Sequence, residues 1–475
     1  MLSLTRIGDG INGTWTSTFY EGESDVTSLD VSADIVRWTV PPSRLQAAAS
    51  WRGRVEDDRL FMTLLVDGGR EAHDRTFRRV SDVEIAELRA RDLSHPAMRE
   101  RVPLPALQAL PPNGLTPRPP MGWNSWNRFK ERIDDRIVRE TADALVETGL
   151  RDAGYVYLNI DDGWQGDRIP SGALQPNEKF PDMAGLVEYA HERGLKFGIY
   201  TSPGPLTCAG YLGSHGYERE DAQQFADWGV DLLKHDWCSA GLLYSTADEM
   251  RALYQKMGDA LLSTGRPIVF SLCQYGLFDV GQWGHAVGAN LWRTGGDLVI
   301  GDRWTAVSKN GFEDNAGLAS GGPGGWNDPD IMVIGLGGLD HEESRTHISL
   351  WALQSAPLLL GNDVRALDPE DAELLLNPEV IAIDQDPLGA PARRVLRDGS
   401  VEVWVKSLAD GSTAVGLFNR GESAAEALVN LSDLGVQGTR RVRDVWARAE
   451  IAEQTMEIAA SVPGHGTALL RIGHE

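Results

Sequence analysis

VDLLKHDWC (230–238) is an apolar, strand-like stretch that ends abruptly in Lys234, His235 and Asp236. A strand that stops on charged residues aims chemistry into a pocket rather than at another hydrophobic layer. The same layout recurs in YVYLNIDDGW (155–164), LKFGIYTSPG (195–204), PIVFSLCQYG (267–276) and NLWRTGGDL (290–298). Between these runs lie helix candidates such as RIVRETADALVETGL (136–150) and EDAQQFADWG (220–229). Strands alternating with helices imply repeated βα units and a parallel sheet. With MGWNSW, GGWNDPDIMVIG and APLLLGND the strand candidates number eight, and eight units in roughly 250 residues suit a closed (β/α)8 TIM barrel better than an open doubly wound sheet.

The flanks have other rhythms. Residues 1–92 carry short alternating runs, GTWTSTFY (13–20), DIVRWTV (34–40) and RLFMTLLVD (59–67), which predict a small β-rich module. A short helical run, DVEIAELRARD (82–92), leads into a proline-rich linker over 93–120 that includes PLPALQALPPNGLTPRPP (103–120). The catalytic barrel is expected over 121–385. After it the helical pattern stops, and SVEVWVKSL, STAVGLFNR, EALVNLSDL and GTALLRIG predict a C-terminal antiparallel β-sandwich over 386–475.

Composition narrows the function. The 475 residues are 42% hydrophobic and 24% charged, ordinary values for a globular protein. No apolar run approaches the ~20 residues of a membrane helix, so no membrane partner is expected. The opening MLSLTRIGDG lacks the basic start and apolar centre of a signal peptide, which predicts a cytoplasmic protein, or a secreted one if a leader has been removed. Against 69 acidic residues stand 45 basic ones, a net charge of −24 that argues against nucleic acid as a partner. Three cysteines make no disulfide scaffold and match no zinc spacing. Without a glycine-rich phosphate loop, a GxSxG elbow or an HExxH motif, neither cofactor nor metal is expected. Assembly into a homo-oligomer is left open.

The strand ends are rich in Asp, Trp, Lys, Arg and Tyr. Flat rings beside fixed charges suit a sugar, whose C–H face stacks while its hydroxyls bind the charges. Asp236 and Asp297 are the candidate catalytic pair, because glycoside cleavage needs one carboxylate at the anomeric carbon and one protonated carboxyl at the leaving oxygen. A lone strand-end aspartate more often caps a helix or closes a turn. Asp161 and Asp162 are harder to dismiss, since neighbours on a strand point to opposite sides and only a strand end lets both face a ligand.

GWNSW (122–126), DDGW (161–164), KFGIY (196–200), TCAGYLGSHGYE (207–218), LLKHDWC (232–238), WRTGGD (292–297), GGWNDPD (324–330) and VIAIDQDPLG (380–389) together resemble glycoside hydrolase family 27, the α-galactosidase clan. The resemblance runs from about residue 115 to 475 and is to a bacterial-type member with an extra N-terminal module. It implies a retaining double displacement with Asp236 as nucleophile and Asp297 as acid/base. Asp236 must then stay ionised, helped by Lys234, while Asp297 carries a proton when substrate arrives. The resemblance further implies that Asp161 and Asp162 bind the sugar's 4- and 6-hydroxyls, Lys234 O3 and O4, and Arg293 the O2 region. Trp126, Tyr200 and Asp330 complete the wall. Core packing is an equal reading of Trp126 and Tyr200, and structural ion pairing is one of Lys234 and Arg293.

The implied substrate is a galactosylated oligosaccharide or glycoside, cleaved to release terminal α-linked D-galactose. Alternatives are an α-N-acetylgalactosaminide, a β-L-arabinopyranoside or an isomalto-type glucan; a non-catalytic sugar-binding protein fits less well, because both carboxylates are present. Three departures from the family pattern bear on this. Cys273, Gln274 and Tyr275 stand where many members have Cys-Glu-Trp, which makes Gln274 the residue expected to reach the 2-hydroxyl. Gly163 stands where several members have a cysteine, and Cys208 and Cys238 would match the family's other disulfide, expected as two thiols in a cytosolic setting. The first 92 residues have no family counterpart. Sugar-binding module, oligomerisation element and lid all remain open for them; Trp15, Tyr20, Trp38 and Trp51 suggest a sugar platform, although aromatics in a small β domain are more often core.

Overall fold

The computed structural model describes residues 101–475 apart from 300–301, 319, 436–439, 455 and 474–475, together with the backbone of the strands between residues 2 and 78. The helical run at 82–92, Tyr20, and the side chains of Trp15, Trp38 and Trp51 lie outside the described residues.

All eight strand candidates of the middle region enter one parallel sheet: β1 (Met121–Asn124), β2 (Tyr157–Asn159), β3 (Lys196–Thr201), β4 (Leu232–Asp236), β5 (Val269–Cys273), β6 (Leu291–Arg293), β7 (Trp326–Asp328) and β8 (Leu358–Leu360). Each strand from β1 to β7 pairs with the next, and β8 returns to β1. A parallel bridge between Met332, just past β7, and Leu360 of β8 joins the two ends. Met332 N donates to Leu359 O at 2.7 Å and Gly361 N to Met332 O at 3.1 Å, so the sheet closes on itself. Helices between the strands include α1 (Asp135–Glu147), α2 (Met183–Glu192), α3 (Glu218–Trp228), α4 (Ala247–Ser263), α5 (Arg303–Ser308) and α6 (His341–Leu353). Their starts are written in the sequence. Asp134 accepts from Ile137 N at 2.7 Å to open α1, and Thr246 with Glu249 and Asp340 with Glu343 form capping boxes on α4 and α6; each such cap contributes about 1 kcal/mol.

Strand alternation divides the barrel into a plug and a site. On β4, Leu232, Lys234 and Asp236 share the inner face while Leu233 and His235 face the helices. Leu232 packs with Tyr157, Val269, Leu291 and Trp326 into a buried cluster that fills the lower interior, each large apolar side chain contributing about 1.5–3 kcal/mol. At β1 a side chain would collide with this layer, because a Cβ on Gly122 would lie 2.1 Å from Tyr157 O. His235 packs against Tyr254 and Phe270, with ring centroids 5.8 and 5.9 Å away, and burial lowers its pKa to about 3. It is a neutral core residue on the far side of the strand from the chemistry.

The C-terminal region forms a six-stranded antiparallel sheet and a two-stranded one, Ala425–Asn430 with Glu457–Val462. Val403, Val405, Val415 and Leu417 of the larger sheet pack with Val429, Ile458 and Val462 of the smaller. The opposite face of the larger sheet, through Trp404, Ala414 and Phe418, joins the barrel core with Ile348 and Trp351 of α6. The proline-rich stretch from Val102 onward is a strap held to the barrel rather than a free spacer. Gln108 N donates to Gln255 Oε1 at 2.9 Å, Gln255 Nε2 to Ala106 O at 3.0 Å, and Leu110 N to Ala286 O at 2.8 Å. Between residues 2 and 78, strands pair into a three-stranded and a five-stranded antiparallel sheet. Among the described residues no helix is long and apolar enough to cross a membrane.

Candidate active site

Register decides which side chains meet at the C-terminal ends of the barrel strands, the end that forms the mouth in this architecture. Lys234 lies between Tyr200 of β3 and Ser271 of β5, and Asp236 beside Cys273. On β6 Leu291 and Arg293 face inward, while Trp292 turns outward and donates from its indole to Asn327 at 2.8 Å. A pocket opens above the plug. Among the described residues its walls carry Trp126, Asp161, Tyr200, Lys234, Asp236, Arg293, Asp297 and Asp330, all singled out from the sequence, together with Cys208, Asn127, Tyr275 and Ile331.

Two predicted residues do not line it. Asp162, in the bend past the end of β2, is absent from the wall and accepts from Ala209 N at 2.7 Å and Gly163 N at 2.9 Å. Its carboxyl anchors the loop carrying Cys208, and burial raises its pKa to about 7. Gln274 is fully buried, and its Nε2 donates to Arg293 O at 2.9 Å instead of facing a ligand. The physical reason is strand alternation: Ser271 and Cys273, in register with Lys234 and Asp236, face inward, so Gln274 turns outward and Tyr275 toward the pocket. Cys208 and Cys238 are joined in a disulfide rather than standing as two thiols. Their sulfurs and Asp236 come within 4.8 Å of one another, but sulfurs bonded to each other offer no thiolate to a metal. Cys273 is a buried free thiol.

Three charged clusters furnish the pocket. Asp161 Oδ2 accepts from Lys234 Nζ at 2.7 Å and from Asn124 Nδ2 at 2.9 Å. Asp236 is held on both oxygens, by Tyr200 at 3.1 Å on Oδ2 and by Tyr275 at 2.8 Å on Oδ1. Arg293 bridges Asp297 at 3.0 Å and Asp330 at 2.8 Å, and also donates to Gly295 O and Gly296 O at 3.0 and 2.6 Å. Asp330 receives Leu298 N at 2.8 Å and has a strained backbone, φ 108°, of the kind that collects at functional sites.

The proton affinities of Asp236 and Asp297 are ordered opposite to what a double displacement would call for. Burial raises the pKa of Asp236 against the pull of Lys234 and the Tyr275 hydrogen bond, with Asp297 and Asp161 adding to the rise. Burial also raises Asp297, but the Arg293 guanidinium, with Lys234 and Lys130, outweighs it and holds Asp297 below the ordinary aspartate value. Asp330, chiefly through burial, is pushed up to about 7. Lys234 stays charged: burial opposes its charge, but Asp161 and Asp236 keep its pKa above the usual lysine value. The pocket therefore combines an aspartate held by two phenols, an aspartate paired to arginine, and a lysine–carboxylate pair, an array with the chemistry to bind hydroxyls and two carboxyls in one cavity.

Tyr275, Asn127 and Ile331 were not picked out from the sequence as wall residues. For Tyr275 a signal existed, since period-2 alternation along PIVFSLCQYG puts it on the face of Ser271 and Cys273. Asn127 and Ile331 carry no comparable signal.

Residues 118–386 match the family model described as alpha galactosidase A, and residues 398–472 match the alpha galactosidase C-terminal beta sandwich domain. An alpha-galactosidase of Cyamopsis tetragonoloba is 43% identical over 74% of this chain and 85% of its own length. The crystal structure of alpha-galactosidase I from Mortierella vinacea superposes with a TM-score of 0.72 at 35% identity, covering 76% of this chain and 98% of that one. A Bacteroides fragilis structure provisionally described as an alpha-galactosidase has a TM-score of 0.72 at 33% identity and covers 91% of this chain and 90% of its own. That span is more than the barrel and sandwich alone supply.

Proposed function

The chain belongs to the alpha galactosidase A family of glycoside hydrolases, and on that premise we propose that it releases terminal α-linked D-galactose by a retaining double displacement. Asp236 attacks the anomeric carbon, and the glycosidic oxygen leaves with the proton of Asp297. Water then adds to the glycosyl-enzyme, gives its proton to Asp297, and the bond to Asp236 breaks with its electron pair returning to the carboxylate. The observation that carries the reading is the tethering of both Asp236 oxygens at 3.1 and 2.8 Å in the pocket that also contains Asp297. A carboxylate held on both oxygens loses little orientational freedom on attack.

Asp297 needs a proton that the Arg293 guanidinium disfavours. A sugar hydroxyl that engages Arg293, and a glycosidic oxygen placed against Asp297, weaken the hold of the guanidinium and raise the proton affinity of Asp297. Asp161 supports recognition of the axial 4-hydroxyl. It is buried and already bound to Lys234 and Asn124, so the wrong epimer leaves a desolvated polar group short of a partner.

A panel of nitrophenyl glycosides tests the proposal. We expect turnover of the α-D-galactoside, with α-galactose as the first product seen by proton NMR. If that substrate is inert while the β-L-arabinopyranoside or the α-N-acetylgalactosaminide is cleaved, the galactose reading fails. A galactose complex should also place the Asp236 and Asp297 carboxyls about 5–5.5 Å apart, the spacing of a retaining pair.

A further inference from the structure

Tyr275 has no role in the scheme above beyond its contact with Asp236, and that contact carries more. The residue lies two positions past the end of β5, with a left-handed backbone, φ 61°, ahead of Gly276, φ 78°. A non-glycine residue in that conformation costs about 1–3 kcal/mol and persists only where its surroundings over-determine it. Here they do, because a Cβ on Gly276 would lie 2.4 Å from Thr294 O, so the turn is pressed against the chain leaving β6. The phenol is 7% exposed, and its hydroxyl reaches Asp236 Oδ1 at 2.8 Å.

The disulfide touches both phenols that hold this carboxylate. Cys238 Sγ is 3.2 Å from the Tyr200 hydroxyl and Cys208 Sγ is 3.8 Å from the Tyr275 hydroxyl. A disulfide sulfur has no proton to give, and each phenol has one. The carboxylate is the stronger acceptor and takes both; the sulfurs act as a backing that keeps the hydroxyls in place.

We propose that Tyr275 is a positioning residue for the nucleophile, stabilising Asp236 whenever it is charged and so speeding the second half of the reaction in particular. The proposal rests on the assignment of Asp236 as nucleophile. In the first step the carboxylate loses its charge as the C–O bond forms, and the hydrogen bond from Tyr275 weakens. In the second step water adds, its proton passes to Asp297, the C–O bond to Asp236 breaks, and the charge returns under the Tyr275 hydroxyl. A donor of this kind lowers the barrier to deglycosylation more than the barrier to glycosylation.

Asp236 titrates among several neighbours. Lys234 lies on its own strand, Asp161 and Asp162 follow β2, and Asp297 follows β6. Tyr200, Tyr254 and the Cys273 thiol close the remaining sides. Lys234 and the Tyr275 hydrogen bond favour the ionised form, whereas burial and the carboxylates oppose it. Removing the Tyr275 hydroxyl therefore raises the pKa of Asp236.

The test is Tyr275→Phe in the full chain with nitrophenyl α-galactoside. We expect kcat to fall roughly 10- to 100-fold, the worth of a hydrogen bond to a charged group. KM should fall with it as glycosyl-enzyme accumulates, a burst of nitrophenol should appear, and the acid limb of kcat/KM should move to higher pH. A kcat loss with KM unchanged and no burst, or an acid limb that stays in place, overturns the proposal. Should the phenylalanine variant fail to fold, 3-fluorotyrosine at 275 keeps the ring and strengthens the donor, and must move the acid limb to lower pH; no movement refutes the role. A readout free of turnover separates this proposal from the galactosidase reading. The 13C-carboxyl titration of Asp236, assigned by its loss in Asp236→Asn, must give a higher pKa in Tyr275→Phe than in the unmodified protein. Equal values refute the role of Tyr275; a rise in a protein that leaves the galactoside intact sinks only the substrate.

Discussion

Replacing Lys234 by methionine removes an ammonium that Asp161 binds at 2.7 Å, where the two side chains are 16% and 3% exposed. At an effective dielectric of about 20, unit charges at that separation attract by about 6 kcal/mol. Desolvation of both groups offsets much of this, and breaking such a pair from one side costs about 3–5 kcal/mol, because the remaining charge is left buried. Lys234 is also the first of the groups that lower the pKa of Asp236. Its loss raises that pKa further, so Asp236 ionises at higher pH and, with Asp236 as the proposed nucleophile, the acid limb of kcat/KM moves upward with it. One pH unit of movement corresponds to about 1.4 kcal/mol. We expect Lys234→Met to lower kcat/KM for nitrophenyl α-galactoside by roughly 100- to 1,000-fold at neutral pH, at about 1.4 kcal/mol per tenfold, to shift the acid limb up by about one unit or more, and to lower Tm by several degrees. The assay is a pH series of initial rates beside a thermal melt. A loss under about tenfold with the limb in place would show that Lys234 neither holds Asp161 nor influences Asp236 as argued.

Other perturbations probe separate parts of the site. Asp236→Ala should abolish turnover while galactose binding stays measurable by calorimetry, and retained activity would remove Asp236 from the nucleophile role. Reducing the Cys208–Cys238 bond, or replacing both cysteines by serine, opens a loop of 30 residues in sequence. The expected cost is about 2–4 kcal/mol of stability together with slower turnover, because both tyrosine hydroxyls lose their backing; unchanged melting and rate would contradict the buttress. Gln274→Ala should leave the ratio of α-galactoside to α-N-acetylgalactosaminide turnover alone and cost about 1–3 kcal/mol in stability, since Gln274 Nε2 is bound to Arg293 O. A tenfold change in that ratio would put the side chain back in contact with the sugar.

Much of the site was legible because strand ends of a parallel barrel converge by construction. Asp236, Asp297, Lys234 and Arg293 close or follow apolar runs, and such runs can only end at the mouth or the floor of the barrel. The misplacements fall on residues adjacent in sequence. Gln274 and Tyr275 are adjacent, and alternation from Cys273, which pairs with Asp236, turns the first outward and the second to the pocket. Asp161 and Asp162 are likewise adjacent, and only the chain direction after β2 gives the pocket to the first and the Ala209 loop to the second. The direction of proton affinity in the pair escaped for another reason. It depends on Arg293 lying 3.0 Å from Asp297 and on the burial of Asp236, and both are properties of the packed barrel.

The chain by itself determined the architecture and the chemical inventory. Alternation of apolar runs with amphipathic stretches is a local property, and eight such units with polar ends imply a barrel and the side chains at its mouth before any contact is known. The tertiary structure alone decided the partners. Hydrogen bonds and ion pairs between residues 36 to 73 positions apart, Tyr200 and Tyr275 on Asp236 and Lys234 on Asp161, arise only when strands distant in sequence are set side by side. The disulfide beside both phenols and the Arg293–Asp330 pair have the same origin. Proton affinity and carboxylate orientation follow from distance and burial, and a sequence contains neither until it is folded.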